Sequence, residues 1–79
     1  PHDPETAAIA QQAFRRVEDM FANALKRGIN AGTISADKNV RALARFFAGS
    51  IQGVHLMARR GADRETIEDY TDTILAALD

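Results

Sequence analysis

Ser50 and His55 are the nearest thing to a nucleophile and base in this chain, and their spacing fails. Five residues along a helix is a rotation of about 140°, so hydroxyl and imidazole leave the axis in different directions. No carboxylate is placed to orient the imidazole, and no loop is built to hold an oxyanion. Glu18 and Asp19 are adjacent, so on a helix they are expected to diverge. Glu65, Glu68, Asp69 and Asp72 share part of a helical face, which reads as solvated surface rather than a cation site. There is no cysteine, and the two histidines, His2 and His55, are far apart. No metal and no cofactor are therefore expected. Phosphate-binding loops and paired-histidine zinc motifs are absent from the sequence. Catalysis is not the expected function.

One polar stripe is better placed. Arg41, Arg45, Ala48, Gln52, His55 and Arg59 recur at steps of three and four along an otherwise apolar segment. The stripe either faces water or carries the polar groups that orient a ligand or a partner. Phe14, Phe21, Phe46 and Phe47 serve as core or as the wall of a cavity.

Three helices must position these groups. The first is expected over about 4–31, capped by Asp3, with Pro4 in its first turn and Gly32 as its left-handed stop. Its apolar rows are Ile9, Ala13, Val17, Met20 and Ala24, beside Ala10, Phe14, Phe21, Leu25 and Ile29. Gln11, Gln12, Arg15, Glu18, Asp19 and Lys26 make its polar outer face. Ile34, in the following loop, is expected to tuck under the helix ends. The second helix, about 40–60, is capped by Asp37 or Asn39, with Asn39 preferred, and stops at Gly61. The third, about 64–78, is capped by Asp63 and has the apolar row Ile67, Tyr70, Thr71, Ile74, Leu75 and Leu78. The fold class is all-α. Three long helices run as antiparallel neighbours in one domain, residues 1–79.

The second helix is apolar on more sides than its own chain can cover. Ala42, Phe46, Gly49, Gly53 and Leu56 or Met57 mark a seam with a shallow centre and bulky ends. A second copy of the chain is expected to cross there. The last two helices of each copy then form a four-helix bundle about a two-fold axis. Phe46, Gly49, Ser50, Gly53, Met57, Ile67, Tyr70, Ile74 and Leu78 are the candidate dimer contacts.

Composition agrees. A 79-residue chain without cysteine closes its stability gap by oligomerising more readily than by stapling. Net charge is −1, which gives no basic footprint for nucleic acid. Residues 1–60 have a balance of +4 and residues 61–79 a balance of −5, so the last helix is expected to pack against its basic neighbours. No apolar run reaches the length of a membrane span and no signal peptide is seen, so no membrane partner and a cytoplasmic location are expected. The chain begins at Pro1 and not Met, which is expected of a processed product or a fragment.

The order of these residues resembles a known family. Ala13-Phe14-Arg15-Arg16-Val17-Glu18-Asp19, Leu25-Lys26-Arg27-Gly28 and Ala31-Gly32-Thr33-Ile34 are similar to the C-terminal domain of TetR-family transcriptional regulators. So are Val40 to Phe47, Ile51-Gln52-Gly53-Val54 and Ala58 to Ala62. The resemblance implies a helical domain that dimerises through its last two helices and binds a small effector, hydrophobic or aromatic. Phe14, Val17, Phe21, Phe47 and His55 would line that pocket. It also implies an operator-binding helix-turn-helix domain, which these residues do not contain, so operator DNA would be reached only through that missing part. The alternative is a free-standing helical homodimeric interaction module with no DNA-binding role.

Overall fold

In the computed structural model, which describes residues 3–79, α1 spans Pro4–Asn30, α2 Val40–Arg59 and α3 Arg64–Leu75. A 3-10 turn, Ala76–Leu78, follows α3, so the third helix tightens where a continuous helix to residue 78 was expected. Pro1 and His2 lie outside the described residues.

Each boundary has a local cause. Asp3 accepts from the Glu5 N–H at 3.0 Å and from the Thr6 hydroxyl at 3.1 Å, and Pro4 follows where a missing N–H costs nothing. Asn39 accepts from Ala42 N–H at 3.1 Å, and Asp63 from Thr66 N–H at 2.9 Å. Both long helices end in the same paired-bond motif. Thr33 N–H reaches the Gly28 carbonyl and Gly32 N–H that of Ile29; Ala62 N–H reaches Met57 and Gly61 N–H reaches Ala58. The turning residues Gly32 and Gly61 have φ of 82° and 83°, which a side chain would strain. Ile34 does fold back under α1. A Cβ on Gly28 would lie 2.5 Å from its Cδ1, so any larger residue there would make the Ile34 side chain shift.

The helices are antiparallel neighbours with α2 between the other two. Glu18 and Asp19 of α1 meet Arg41 and Arg45 of α2, while Ala10 and Gln11 line a cleft with Gln52. Tyr70 of α3 lies over Gly53 of α2, while Leu78 shares a cavity with Phe47. Ala22, Leu25, Ala44, Phe47 and Ile74 form the buried core, edged by Phe21, Ile34, Val40, Leu43, Val54, Tyr70 and Leu78. Ala22, Ala44 and Ala48 are 0–1% exposed, and these small residues let α1 and α2 approach closely. The Phe21 and Phe47 rings pack with centroids 5.7 Å apart.

Two expectations about α1 are corrected. Glu18, placed on the outer face, is buried. Of the two apolar rows, the one through Phe21 and Leu25 packs on the chain, whereas Ile9 and Met20 of the other are 67% and 57% exposed.

The result is a slab of 45 × 33 × 14 Å, little more than one helix thick. Its radius of gyration is 14.7 Å, against about 12 Å for a compact chain of this length. Its accessible surface of 6016 Å² exceeds by about 1,300 Å² that of an ordinary folded monomer of 8.6 kDa. A single helical layer has two faces and covers neither.

Candidate functional site

Among the described residues, Arg41 organises the polar site between α1 and α2. Its Nη1 donates to Glu18 Oε2 and to Asp19 Oδ1, each at 2.9 Å. Arg45 Nε lies 3.5 Å from the same Glu18 oxygen. Glu18 is thus a nearly buried carboxylate (12% side-chain exposure) between two guanidinium groups that reach solvent. Hydrogen bonding to Asp19 first and Glu18 second raises the already high pKa of Arg41, which stays charged.

This corrects the expectation that Glu18 and Asp19 diverge: their carboxylates converge on one nitrogen of α2. A signal for it was present. In an antiparallel helical hairpin, positions equally distant from the turn face each other. With the turn taken at Gly32, residues 18–19 fall opposite 45–46 and residues 10–11 opposite 53–54, which brings Glu18 to Arg45 and Gln11 near Gln52, while Arg41 reaches Glu18 and Asp19 from one turn further along α2.

The same groups border an open cleft of about 660 Å³, lined by Ala10, Gln11, Phe14, Arg15, Glu18, Asp19, Arg41, Arg45 and Gln52. Three members of the polar stripe (Arg41, Arg45 and Gln52) lie here. Ala48 is buried, and His55 sits apart in a second cleft with Gln52, Leu56 and Arg59.

The five expected pocket residues do not share a cavity. Phe14 and Val17 come together with Ala13, Ala48 and Ile51. Phe21 and Phe47 come together twice, in apolar cavities of about 230 Å³ beside Leu25, Ile34 and Leu78 and about 210 Å³ beside Val54, Thr71 and Ile74. His55 joins neither group.

The expected dimer contacts divide in a similar way. Phe46 is 47% exposed, and nothing lies within 4 Å of a Cβ placed on Gly49. Ala42 and Leu56 are exposed on the same face. Met57 and Ile67 are half-buried. The others are engaged within the chain. Ser50 is buried, its hydroxyl donating to the Phe46 carbonyl at 2.7 Å. Ile74 is in the core, and Tyr70 and Leu78 pack on it. Gly53 faces the chain's own Tyr70, whose hydroxyl would be 2.6 Å from an added Cβ. The shallow centre of the open face is therefore Gly49, with Gly53 half-covered by α3.

The charge asymmetry is not used as expected either. Among the described residues no ion pair joins α3 to α1 or α2; the pair made by α3 is its own Arg64–Glu68. Glu65, Glu68, Asp69 and Asp72 are all exposed.

The described residues form a three-helix slab whose first two helices stop at glycines and whose second helix keeps an uncovered face. Residues 2–74 match the family of tetracyclin repressor-like C-terminal domains, and the chain belongs to that family. It is also similar to an uncharacterized HTH-type transcriptional regulator, YezE, of Bacillus subtilis (strain 168), with 32% identity over 80 residues. That match takes in the whole of this chain and 41% of the relative, so the chain spans about two fifths of the regulator's length. No solved structure matches. The family is one of transcriptional regulators rather than enzymes, and among the described residues no helix is long and apolar enough to cross a membrane.

Proposed function

We propose that this chain is the dimerisation part, and one wall of the effector-binding part, of a cytoplasmic ligand-responsive transcriptional regulator. Two copies join through the open face of α2 and the adjoining edge of α3. The observation that carries this is the row Ala42, Phe46, Gly49 and Leu56, apolar or small, at helical spacing, and uncovered by its own chain. The surplus surface of about 1,300 Å² supports it, because a standard interface takes roughly 800 Å² from each partner. Gly49, with nothing within 4 Å of an added Cβ, leaves room for another helix backbone at the centre of the row.

Operator binding belongs in this reading to a helix-turn-helix segment outside these residues, as the name of the YezE relative suggests. A ligand held against α1 and α2 would shift the equilibrium between two spacings of the DNA-binding heads, through its difference in affinity for them.

Sedimentation of the wild-type chain and of Gly49→Arg tests the dimer. Wild type is expected to sediment as a dimer and the variant as a folded monomer, with helical content unchanged because position 49 has open space. Gly53→Arg is the poorer test, since an added Cβ meets the Tyr70 hydroxyl and the change would also displace the chain's own α3 contact. A wild-type monomer, or a variant that dimerises as well as wild type, refutes the assignment.

A further inference from the structure

We propose that the cleft between α1 and α2 is a binding site for a small organic acid: a carboxylate on a compact apolar body. This deepens the effector-binding reading by naming the site and the ligand class. It rests on that reading for its consequence on DNA, and not for the binding itself.

The argument starts from charge. Arg15, Arg41 and Arg45 line the cleft with the carboxylates Glu18 and Asp19. Both carboxylates are committed to the same Arg41 nitrogen. Arg45 reaches Glu18 only through Nε at 3.5 Å, so the outer edge of its guanidinium fork is left for another acceptor. Arg15 pairs with no carboxylate among the described residues. The cleft therefore carries one positive charge more than it neutralises, on groups whose planar geometry matches a carboxylate.

Shape and polarity fix the rest of the ligand. Gln11 and Gln52 bring amides that both donate and accept, and the Phe14 ring and Ala10 give an apolar wall. A volume of about 660 Å³ suits a small molecule. Glu18 has a positioning role. Buried, hydrogen-bonded to Arg41 and 3.5 Å from Arg45 Nε, it holds these two arginines and repels a second anion from the floor, so that the incoming carboxylate is met at the rim by Arg45 and Arg15. A neutral apolar molecule would leave these guanidinium groups without a new partner and gains only the Phe14 contact.

The test is a titration followed by backbone amide NMR shifts, using benzoate as the acid and benzamide as its neutral isostere. Benzoate is expected to move resonances of residues 10–19 and 41–52 and to bind at least tenfold more tightly than benzamide. Arg15→Gln and Arg45→Gln should each weaken benzoate at least fivefold while keeping the wild-type circular dichroism spectrum and sedimentation. Equal binding of acid and amide would overturn the proposal, as would benzoate shifts that persist in both variants or map to the apolar cavities around Phe47. If the variants lose self-association while benzoate shifts are unchanged, the free arginines serve contact between copies and the proposal is also overturned. Dimerisation of the wild type is read separately by sedimentation, so failure of this site and failure of the dimer reading are distinguishable.

Discussion

Phe46 and Phe47 are neighbours in sequence and are predicted to do different work. Phe47 is 7% exposed, with its ring centroid 5.7 Å from that of Phe21 on α1 and 5.7 Å from that of Phe46. It lines the cavities on both sides of the α1–α2–α3 junction, so it is the side chain by which α2 holds both other helices. Truncating a buried Phe to Ala typically costs about 3–5 kcal/mol, the spread reflecting how far the site can collapse. Here two cavities already adjoin the ring and would merge with the space it leaves, so part of the usual contact loss is already present. The lower end, about 3 kcal/mol, is expected. For a chain of this size that is a fall of roughly 12–24 °C in Tm. Phe46, 47% exposed, should cost less than about 1.5 kcal/mol on truncation to Ala. Phe46→Ala should instead weaken self-association. Thermal and urea unfolding by circular dichroism measure the first effect, at one fixed protein concentration because a dimer's Tm depends on it. Equal losses for the two variants, or a larger loss for Phe46→Ala, measured at a concentration where sedimentation shows both proteins monomeric, would refute the placement of the core.

Glu18→Lys puts a like charge between Arg41 and Arg45 at a nearly buried position and should lower Tm far more than Asp19→Lys, since the Asp19 side chain is 64% exposed. Equal shifts in thermal melts would show that the burial of Glu18 is of no consequence. The Asp63 carboxyl is held below its ordinary pKa by hydrogen bonding from the Thr66 side chain and then its backbone N–H. A depressed carboxylate pKa gives stability that is fully present above the unfolded value near 3.8 and is lost as pH falls through the folded value below it. Tm of the wild type should therefore drop relative to Asp63→Asn as pH falls below about 4, since Asn caps without titrating. Parallel Tm profiles for the two proteins across that range would contradict the capping account.

Helix number, caps and stops were legible because they rest on local chemistry. Asp3, Asn39 and Asp63 accept at the three N-termini, and Gly32 and Gly61 turn the chain where a positive φ is needed. The open row on α2 was legible because too many of its sides are apolar for a small chain to cover. Periodicity could not say which glycine stays uncovered. Gly49 and Gly53 share a helical face, and only the reach of Tyr70 from α3 separates them. Glu18 was misplaced for a similar reason. Its type favours the surface, and its burial depends on two arginines more than twenty residues away. The acidic α3 shows the limit of net charge as a guide, because its carboxylates are exposed while the helix packs on the core through Tyr70, Ile74 and Leu78. The pocket residues were the least legible, since Phe14, Phe47 and His55 lie on helical rows that the packing sends to different cavities.

The central claim, that two copies meet across the open face of α2, has a direct test in a chain with no cysteine of its own. A disulfide needs Cα atoms within about 7 Å, which across a two-fold is met only near the crossing point. Gly49→Cys and, as an exposed control on the acidic face of α3, Asp69→Cys would each be oxidised at low protein concentration and followed on non-reducing gels. The account predicts rapid and nearly complete covalent dimer from Gly49→Cys, at least tenfold faster than from Asp69→Cys. Equal rates for the two, or no covalent dimer from Gly49→Cys, would contradict it.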